Sequence, residues 1–141
     1  MKVLTYNPEL CTGARECEKV CAQTWFKVPD REHSSIRIFE QEGKFRAEFC
    51  IQCGECIKVC PTNALYYDKQ GIVRVKKDLC VGCMSCVGFC PYGVMYYEPQ
   101  QTLAFKCISC GQCVKACPSG ALKIIEVETV STDLWQGKVG F

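Results

Sequence analysis

The sequence predicts a small α+β protein of short hairpins and short helical turns, arranged around cysteine loops. Three observations predict it. One cysteine run recurs along the chain, its last cysteine displaced by the length of a helical turn. Strand-like segments follow the run at one offset in each repeat, and 141 residues leave little room for a large apolar core.

The clearest copy of the run is Cys50-Ile51-Gln52-Cys53-Gly54-Glu55-Cys56-Ile57-Lys58-Val59-Cys60-Pro61. Three cysteines at every third position bring three thiolates around one loop, and the fourth is carried away on a helical turn. C-x2-C-x2-C-x3-C-P is the bacterial-type ligand run for [4Fe-4S] clusters. It returns at Cys80, Cys83, Cys86 and Cys90 with Pro91, and at Cys107, Cys110, Cys113 and Cys117 with Pro118. A fourth copy stands first in the chain, as Cys11-Thr12-Gly13-Ala14-Arg15-Glu16-Cys17-Glu18-Lys19-Val20-Cys21. Alanine replaces its second cysteine, and Ala22 stands where the proline would be. One incomplete and three complete runs account for all fifteen cysteines.

So many cysteines in a short chain mean either a disulfide scaffold or metal ligation. The N-terminus, Met1 to Pro8, has neither the apolar run of a secretory signal nor a twin arginine, so the expected compartment is the cytoplasm. The odd cysteine count leaves one thiol over in any all-disulfide scheme. Structural zinc draws C-x2-C pairs from two loops into one tetrahedron, whereas a triplet with a displaced fourth cysteine suits a cubane. Fifteen ligating thiolates would take the formal charge of +2 to about −13, and four cluster cores of about +2 each bring it back to about −5. Nucleic acid is therefore not an expected partner. No apolar stretch approaches the roughly 20 residues of a membrane span, so no direct membrane insertion is expected.

Taken in order, residues 2–6 read as a short strand leading into the first run. Residues 22–49 are the longest insertion, where Ile36 to Phe39 and Lys44 to Ala47 predict a hairpin turning at Glu42-Gly43. Trp25 and Phe26 are expected mainly as core, with a lid over cluster sulfur as the alternative. The single histidine, His33, reads as a solvated loop residue. Strand-like segments follow at Ala64 to Tyr67, Val94 to Tyr97 and Ala121 to Ile125, and Gly71 to Val75 supplies a return strand. Cross-strand packing explains the paired tyrosines. The glycines Gly13, Gly54, Gly82 and Gly111 fit loops that approach closely. Residues 127–141 form a cysteine-free tail with Trp135 and Phe141, which either docks a partner or packs back on its own domain.

Four such runs in one short chain, the first two separated by a hairpin insertion, resemble the four-cluster ferredoxin-type electron-transfer subunits of several oxidoreductases. These accompany formate dehydrogenases, hydrogenases, carbon monoxide dehydrogenases, aldehyde oxidoreductases and the dimethyl sulfoxide reductase group. The resemblance covers residues 1 to about 126 and, given the chain's compactness, points to soluble enzymes. It implies two interleaved ferredoxin-like dicluster modules in one compact unit of residues 1–141. The inner module would span about 46–104 and the outer about 1–45 plus 105–126.

The family's nested pairing implies a ligand set for each cluster. One takes Cys50, Cys53, Cys56 and Cys90, and its neighbour Cys80, Cys83, Cys86 and Cys60. A third takes Cys107, Cys110, Cys113 and Cys21. The last is left with Cys11, Cys17 and Cys117, and departs from the family at Ala14. Three outcomes follow: a [3Fe-4S] cluster, a [4Fe-4S] cluster whose fourth iron takes water or a borrowed side chain such as Glu16, Glu18 or His33, or an empty site, which is disfavoured because it leaves three buried thiols with nothing to bind. The [4Fe-4S] form with a non-cysteine ligand is preferred.

The function implied is a non-catalytic relay of single electrons between a large catalytic oxidoreductase subunit and a second carrier or subunit. A freely diffusing polyferredoxin is one alternative, and a protein that offers substrate an open iron at the incomplete cluster is another. The sequence contains no Ser/His/Asp or Cys/His constellation, no G-x-G-x-x-G and no phosphate loop.

Overall fold

Strand β1 (Lys2–Tyr6) finds its partner at the far end of the chain, in β8 (Leu122–Glu126). The two run antiparallel from Lys2 opposite Glu126 to Tyr6 opposite Leu122, and the Met1 ammonium donates to the Val127 carbonyl at 2.7 Å. The computed structural model describes residues 1–100 and 102–141. Between these outer strands lie three local hairpins, each a separate two-stranded ribbon.

The first hairpin pairs β2 (Arg37–Gln41) with β3 (Lys44–Glu48) around Glu42 and Gly43. Both turn residues have positive φ, 54° and 78°, which gives the tight turn a twist matching its strands. The second pairs β4 (Leu65–Tyr67) with β5 (Val73–Val75), and the third β6 (Tyr96–Glu98) with β7 (Leu103–Phe105). The strand over residues 103–105 is an addition to those expected from sequence. The segment after Pro118 makes no hairpin of its own, because β1 occupies its edge.

Helix α1 (Glu16–Phe26) carries the second half of the first cysteine run and is far longer than a helical turn. The other runs end in shorter pieces: a 3-10 turn over Glu55–Val59, then α2 (Ser85–Phe89) and α3 (Gln112–Ala116). Helix α1 packs against α3, and α2 packs against the 3-10 turn. The first and fourth runs are thus neighbours, as are the second and third.

Two apolar cores match these pairings. The larger gathers Val3, Leu4, Ile36, Ile38, Phe49 and Leu134 under β1 and the first hairpin. The smaller holds Cys56, Leu65, Val73, Met95 and Ala104.

The tail packs back on its own domain. Leu134 is buried in the larger core, and Thr5 Oγ1 donates towards the carbonyls of Leu134 at 3.2 Å and Val139 at 2.8 Å. Trp135 is half-buried, edge-on to Phe49 and Tyr92. Phe141 remains exposed under the Lys123 ammonium, 4.6 Å from the ring centre.

The reading of His33 as a solvated loop residue is corrected. Asp30 accepts from His33 Nδ1 at 2.5 Å, Glu98 on β6 takes the other ring nitrogen, and the Phe26 ring lies 5.0 Å away. The two carboxylates hold the imidazole between the insertion and the third hairpin. The core reading of Trp25 is corrected as well. Trp25 is 49% exposed in the last turn of α1, while Phe26 packs edge-on against Phe105.

Candidate metal-cluster centres

Each cysteine run folds into the same backbone shape. The second and fourth residues after the first cysteine have left-handed φ in all four copies: Gly13 and Arg15, Gln52 and Gly54, Gly82 and Met84, Ser109 and Gly111. In every copy one of the pair is glycine and the other is not, so the strain of positive φ falls on one side chain per loop. Between them stand Cys53, Cys83 and Cys110, and in the first copy Ala14. That copy keeps the loop although it has lost the cysteine.

The reversed backbone turns N–H groups onto sulfur. The N–H of Gly13 points to Cys11 Sγ at 3.4 Å, that of Gln52 to Cys50 at 3.3 Å and that of Ser109 to Cys107 at 3.5 Å. Cys60 receives the Ala64 N–H, and Cys21 the Ser35 N–H, each at 3.3 Å. Such donors favour thiolate over thiol. Burial alone resists ionising Cys60 and Cys117, but the hydrogen bonds from Thr62 and Ala64, and from Ser119 to Ala121, together carry both below the usual thiol value.

At Gly54 the loop also needs a missing side chain. A Cβ there would fall 2.0 Å from the Tyr67 hydroxyl, which donates to the Gln52 carbonyl at 3.2 Å. The close approach that sequence suggested is therefore to a neighbouring ring.

The structure gathers cysteines from different runs around common cavities. One is lined by Cys107, Cys110 and Cys113 together with Cys21 from α1, and exposed Trp25 lies along its wall. A second is lined by Cys80, Cys83 and Cys86 with Cys60 from the preceding run. A third is lined by Cys11, Cys17 and Cys117 with Ala14. Cys50 and Cys53 lie close enough to Cys56 to raise its charging cost, and Cys90 packs against the small core that contains Cys56. Among the described residues no three His, Cys, Asp or Glu side chains close around a point that would hold a single metal ion.

Burial dominates the electrostatics. It pushes Cys17, Cys56 and Cys107 up to about 12 and Cys113 well above the usual thiol value, with neighbouring sulfurs adding to the rise. Thiols so buried ionise only against a cation that replaces the lost water. A set of cysteines lining a small cavity, with backbone N–H groups already turned on sulfur, fits an iron-sulfur cluster in donor type and charge.

The Cys11, Cys17 and Cys117 cavity holds a further sign of fit. Tyr6 lines it and is buried, and its hydroxyl has no hydrogen-bond partner among the described residues. Burial and then the facing Cys11 sulfur push the Tyr6 hydroxyl above its ordinary pKa, so it is a phenol with a proton to donate. Of the three suggested non-cysteine ligands, only Glu16 lines this cavity. The Glu18 carboxylate accepts from the Ile38 N–H at 2.6 Å and pairs with Arg31 at 3.2 Å, and His33 is held by Asp30 and Glu98.

Sequence reasoning missed Gln52 and Lys106, which join the second run to the fourth. Gln52 is wholly buried and donates to the Cys107 carbonyl at 2.9 Å, while its Oε1 accepts from the Val73 N–H at 3.0 Å. Lys106, 5% exposed, donates to the same Oε1 at 2.8 Å. The one signal was position, since each stands within two residues of the first cysteine of its run.

Four loops of one shape, three of them presenting thiols to a cavity shared with another run, define an iron-sulfur protein of the ferredoxin type. Family models for the 4Fe-4S dicluster domain match residues 10–64, 44–96 and 79–122. Together they run without a gap from 10 to 122, and the chain belongs to the ferredoxin-type proteins built of 4Fe-4S dicluster domains. The polyferredoxin-like subunit of an aliphatic sulfonate oxidoreductase of Pyrococcus furiosus is 38% identical over 76 residues, covering 51% of this chain and 44% of that protein. The B subunit of polysulfide reductase from Wolinella succinogenes is 32% identical over 87 residues, covering 53% and 44%. The matched stretch thus spans less than half the length of these relatives. The active-site complex BamBC of benzoyl coenzyme A reductase contains a chain of the same fold, with a TM-score of 0.53 at 22% identity, covering 95% of this chain and 84% of that one.

Proposed function

We propose that this chain is the electron-relay subunit of an oxidoreductase complex, passing single electrons between a large catalytic subunit and a second redox partner. What carries the reading is that three cavities are each lined by cysteines drawn from two different runs. A [4Fe-4S] cluster supplies reversible one-electron transfer when bound. The chain's own part is to hold clusters close together, exclude water and set the charge around them.

In this reading Cys50, Cys53, Cys56 and Cys90 hold one cluster, and Cys80, Cys83, Cys86 and Cys60 its neighbour. Cys107, Cys110, Cys113 and Cys21 hold the third, and Cys11, Cys17 and Cys117 the fourth. The runs then form an inner module over about 46–104 and an outer one over about 1–45 plus 105–126. The β1–β8 pairing, the contact of α1 with α3 and the two separate cores support that division. We assign the chain no bond chemistry of its own. Among the described residues no helix is long and apolar enough to cross a membrane. A reducing cytoplasm, which keeps thiols free for metal, suits the reading. Relatives named as the B subunit of polysulfide reductase and the electron-transfer subunit of thiosulfate reductase support a catalytic partner.

The test is metal analysis and elution of anaerobically purified protein. The expected load is about 15 to 16 iron atoms per chain, with broad visible bleaching on dithionite. In native extract the chain should co-elute with a much larger protein. Stoichiometric zinc with little iron would end the cluster reading, and elution as a free small protein would end the subunit reading.

A further inference from the structure

Lys106 is a buried cation without an anionic partner among the described residues. Its ammonium donates to the Val73 carbonyl at 2.6 Å, the Cys107 carbonyl at 2.7 Å and Gln52 Oε1 at 2.8 Å. An ammonium has three N–H donors and no acceptor, so three short bonds to three oxygens satisfy it as the charged form. A neutral amine would turn a lone pair against one of those oxygens. All three acceptors are neutral, and no carboxylate pairs with Lys106 among the described residues. A buried charge left uncompensated is costly, so proteins pair it or discard it.

The missing counter-charge lies on two sides. Lys106 directly precedes Cys107 and lines the cavity of Cys107, Cys110, Cys113 and Cys21. On the other side it bonds to Gln52, which stands two residues after Cys50 and turns its own backbone N–H onto the Cys50 sulfur at 3.3 Å. Gln52 holds it between the two loops, since one amide oxygen accepts from Lys106 while the amide nitrogen donates to the Cys107 carbonyl.

We propose that Lys106, fixed by Gln52, is the shared counter-cation of the clusters bound by the Cys50 and Cys107 runs and raises the reduction potential of both. The inference rests on the cluster reading above. Four thiolates around a cubane give a net negative site, and reduction adds a further electron. A positive charge held in low dielectric therefore stabilises the reduced state more than the oxidised one. The Cys80 and Cys11 centres, whose cavities Lys106 does not line, feel it less.

The experiment is a potentiometric titration, followed by electron paramagnetic resonance, of anaerobically purified protein with Lys106→Met, Lys106→Gln, Lys106→Arg or Gln52→Glu. The expected result is that Lys106→Met and Lys106→Gln keep their iron and lower two of the four midpoints. Lys106→Arg should hold those two near wild type. Gln52→Glu, which sets a carboxylate against the ammonium, should lower the same two. Unmoved midpoints in a fully loaded Lys106→Met or Gln52→Glu protein would overturn the proposal and leave Lys106 a hydrogen-bond donor only. If the neutral variants lose iron, retention in Lys106→Arg supports the counter-charge and loss there overturns it. Wild-type protein without iron-sulfur absorption would instead refute the cluster reading itself.

Discussion

The indole N–H of Trp135 donates to the backbone carbonyl of Phe49 at 3.0 Å, tying the last fifteen residues to the segment that enters the second cysteine run. Phe49 itself is fully buried, and Cys50 follows it directly. The tail is therefore positioned to hold a cluster loop. Trp135→Phe removes the hydrogen bond and part of the ring while keeping an aromatic contact, and is expected to cost about 1 to 2 kcal/mol. Trp135→Ala also leaves a gap against Phe49 and Tyr92, and should cost about 2 to 4 kcal/mol. Deleting residues 127–141 should lower iron content as well as stability. A truncated protein with full iron and an unchanged melting temperature, yet weaker association with its complex, would return the tail to a docking role.

Crossing ligands predict which variants share a phenotype. Cys60 belongs to the second run but lines the cavity of Cys80, Cys83 and Cys86. Cys60→Ala and Cys83→Ala should then perturb one and the same resonance, distinct from the one lost with Cys53→Ala. If Cys60→Ala and Cys53→Ala damage the same signal, each run ligates its own cluster and the shared cavity has another meaning.

The His33 clamp predicts a pH dependence of stability. The hydrogen bond to Asp30 leads, with Glu98 adding to it, and together they outweigh burial and raise the His33 pKa above its ordinary value of 6.5. A histidine whose pKa is raised by folding binds its proton more tightly in the native state. The stabilisation is thus complete below about pH 6 and is lost as pH rises through the raised folded value. Anaerobic melting between about pH 6 and pH 9 should show wild type losing stability with rising pH relative to His33→Gln. Parallel curves for the two proteins would show that the clamp contributes nothing through charge.

Some of this is readable from sequence, and the reason differs from feature to feature. The cysteine runs are local, so their spacing exposes all four loops, even the one that keeps its shape around Ala14. The first hairpin is legible from Glu42-Gly43 for the same reason. The pairing of Val3 with Ile125 is not, because no local pattern links two short strands more than a hundred residues apart. Lys106 and His33 look like solvent-facing polar residues in sequence, and only the oxygens that surround them show otherwise. Trp25 fails in the other direction. Its large apolar side chain favours the core, but the last turn of α1 leaves it about half exposed at the cavity that Cys110 also lines.

The first run yields the last prediction. Gly13 and Arg15 have φ of 72° and 61°, close to the 71° and 63° of Gly82 and Met84, so the Ala14 Cβ occupies the loop position that Cys83 holds in the third run. The backbone therefore needs no change to present a thiol there. Ala14→Cys should place a fourth sulfur in the cavity of Cys11, Cys17 and Cys117, and the variant should bind as a four-thiolate cubane. Without that thiol, Glu16 is the one suggested ligand that lines the cavity, and the buried Tyr6 hydroxyl, unpartnered among the described residues, is free to hydrogen-bond to cluster or cysteine sulfur. A wild-type [4Fe-4S] cluster completed by Glu16 predicts that Glu16→Ala loses one iron per chain and gains the resonance of an oxidised three-iron cluster. Tyr6→Phe should keep the iron and lower the midpoint of this centre alone, because a hydrogen bond to sulfur stabilises the reduced state. The air-free wild-type protein decides the first point. If it already shows a full three-iron resonance, Glu16 is not a ligand, and Ala14→Cys should then abolish that signal while raising iron by one atom per chain.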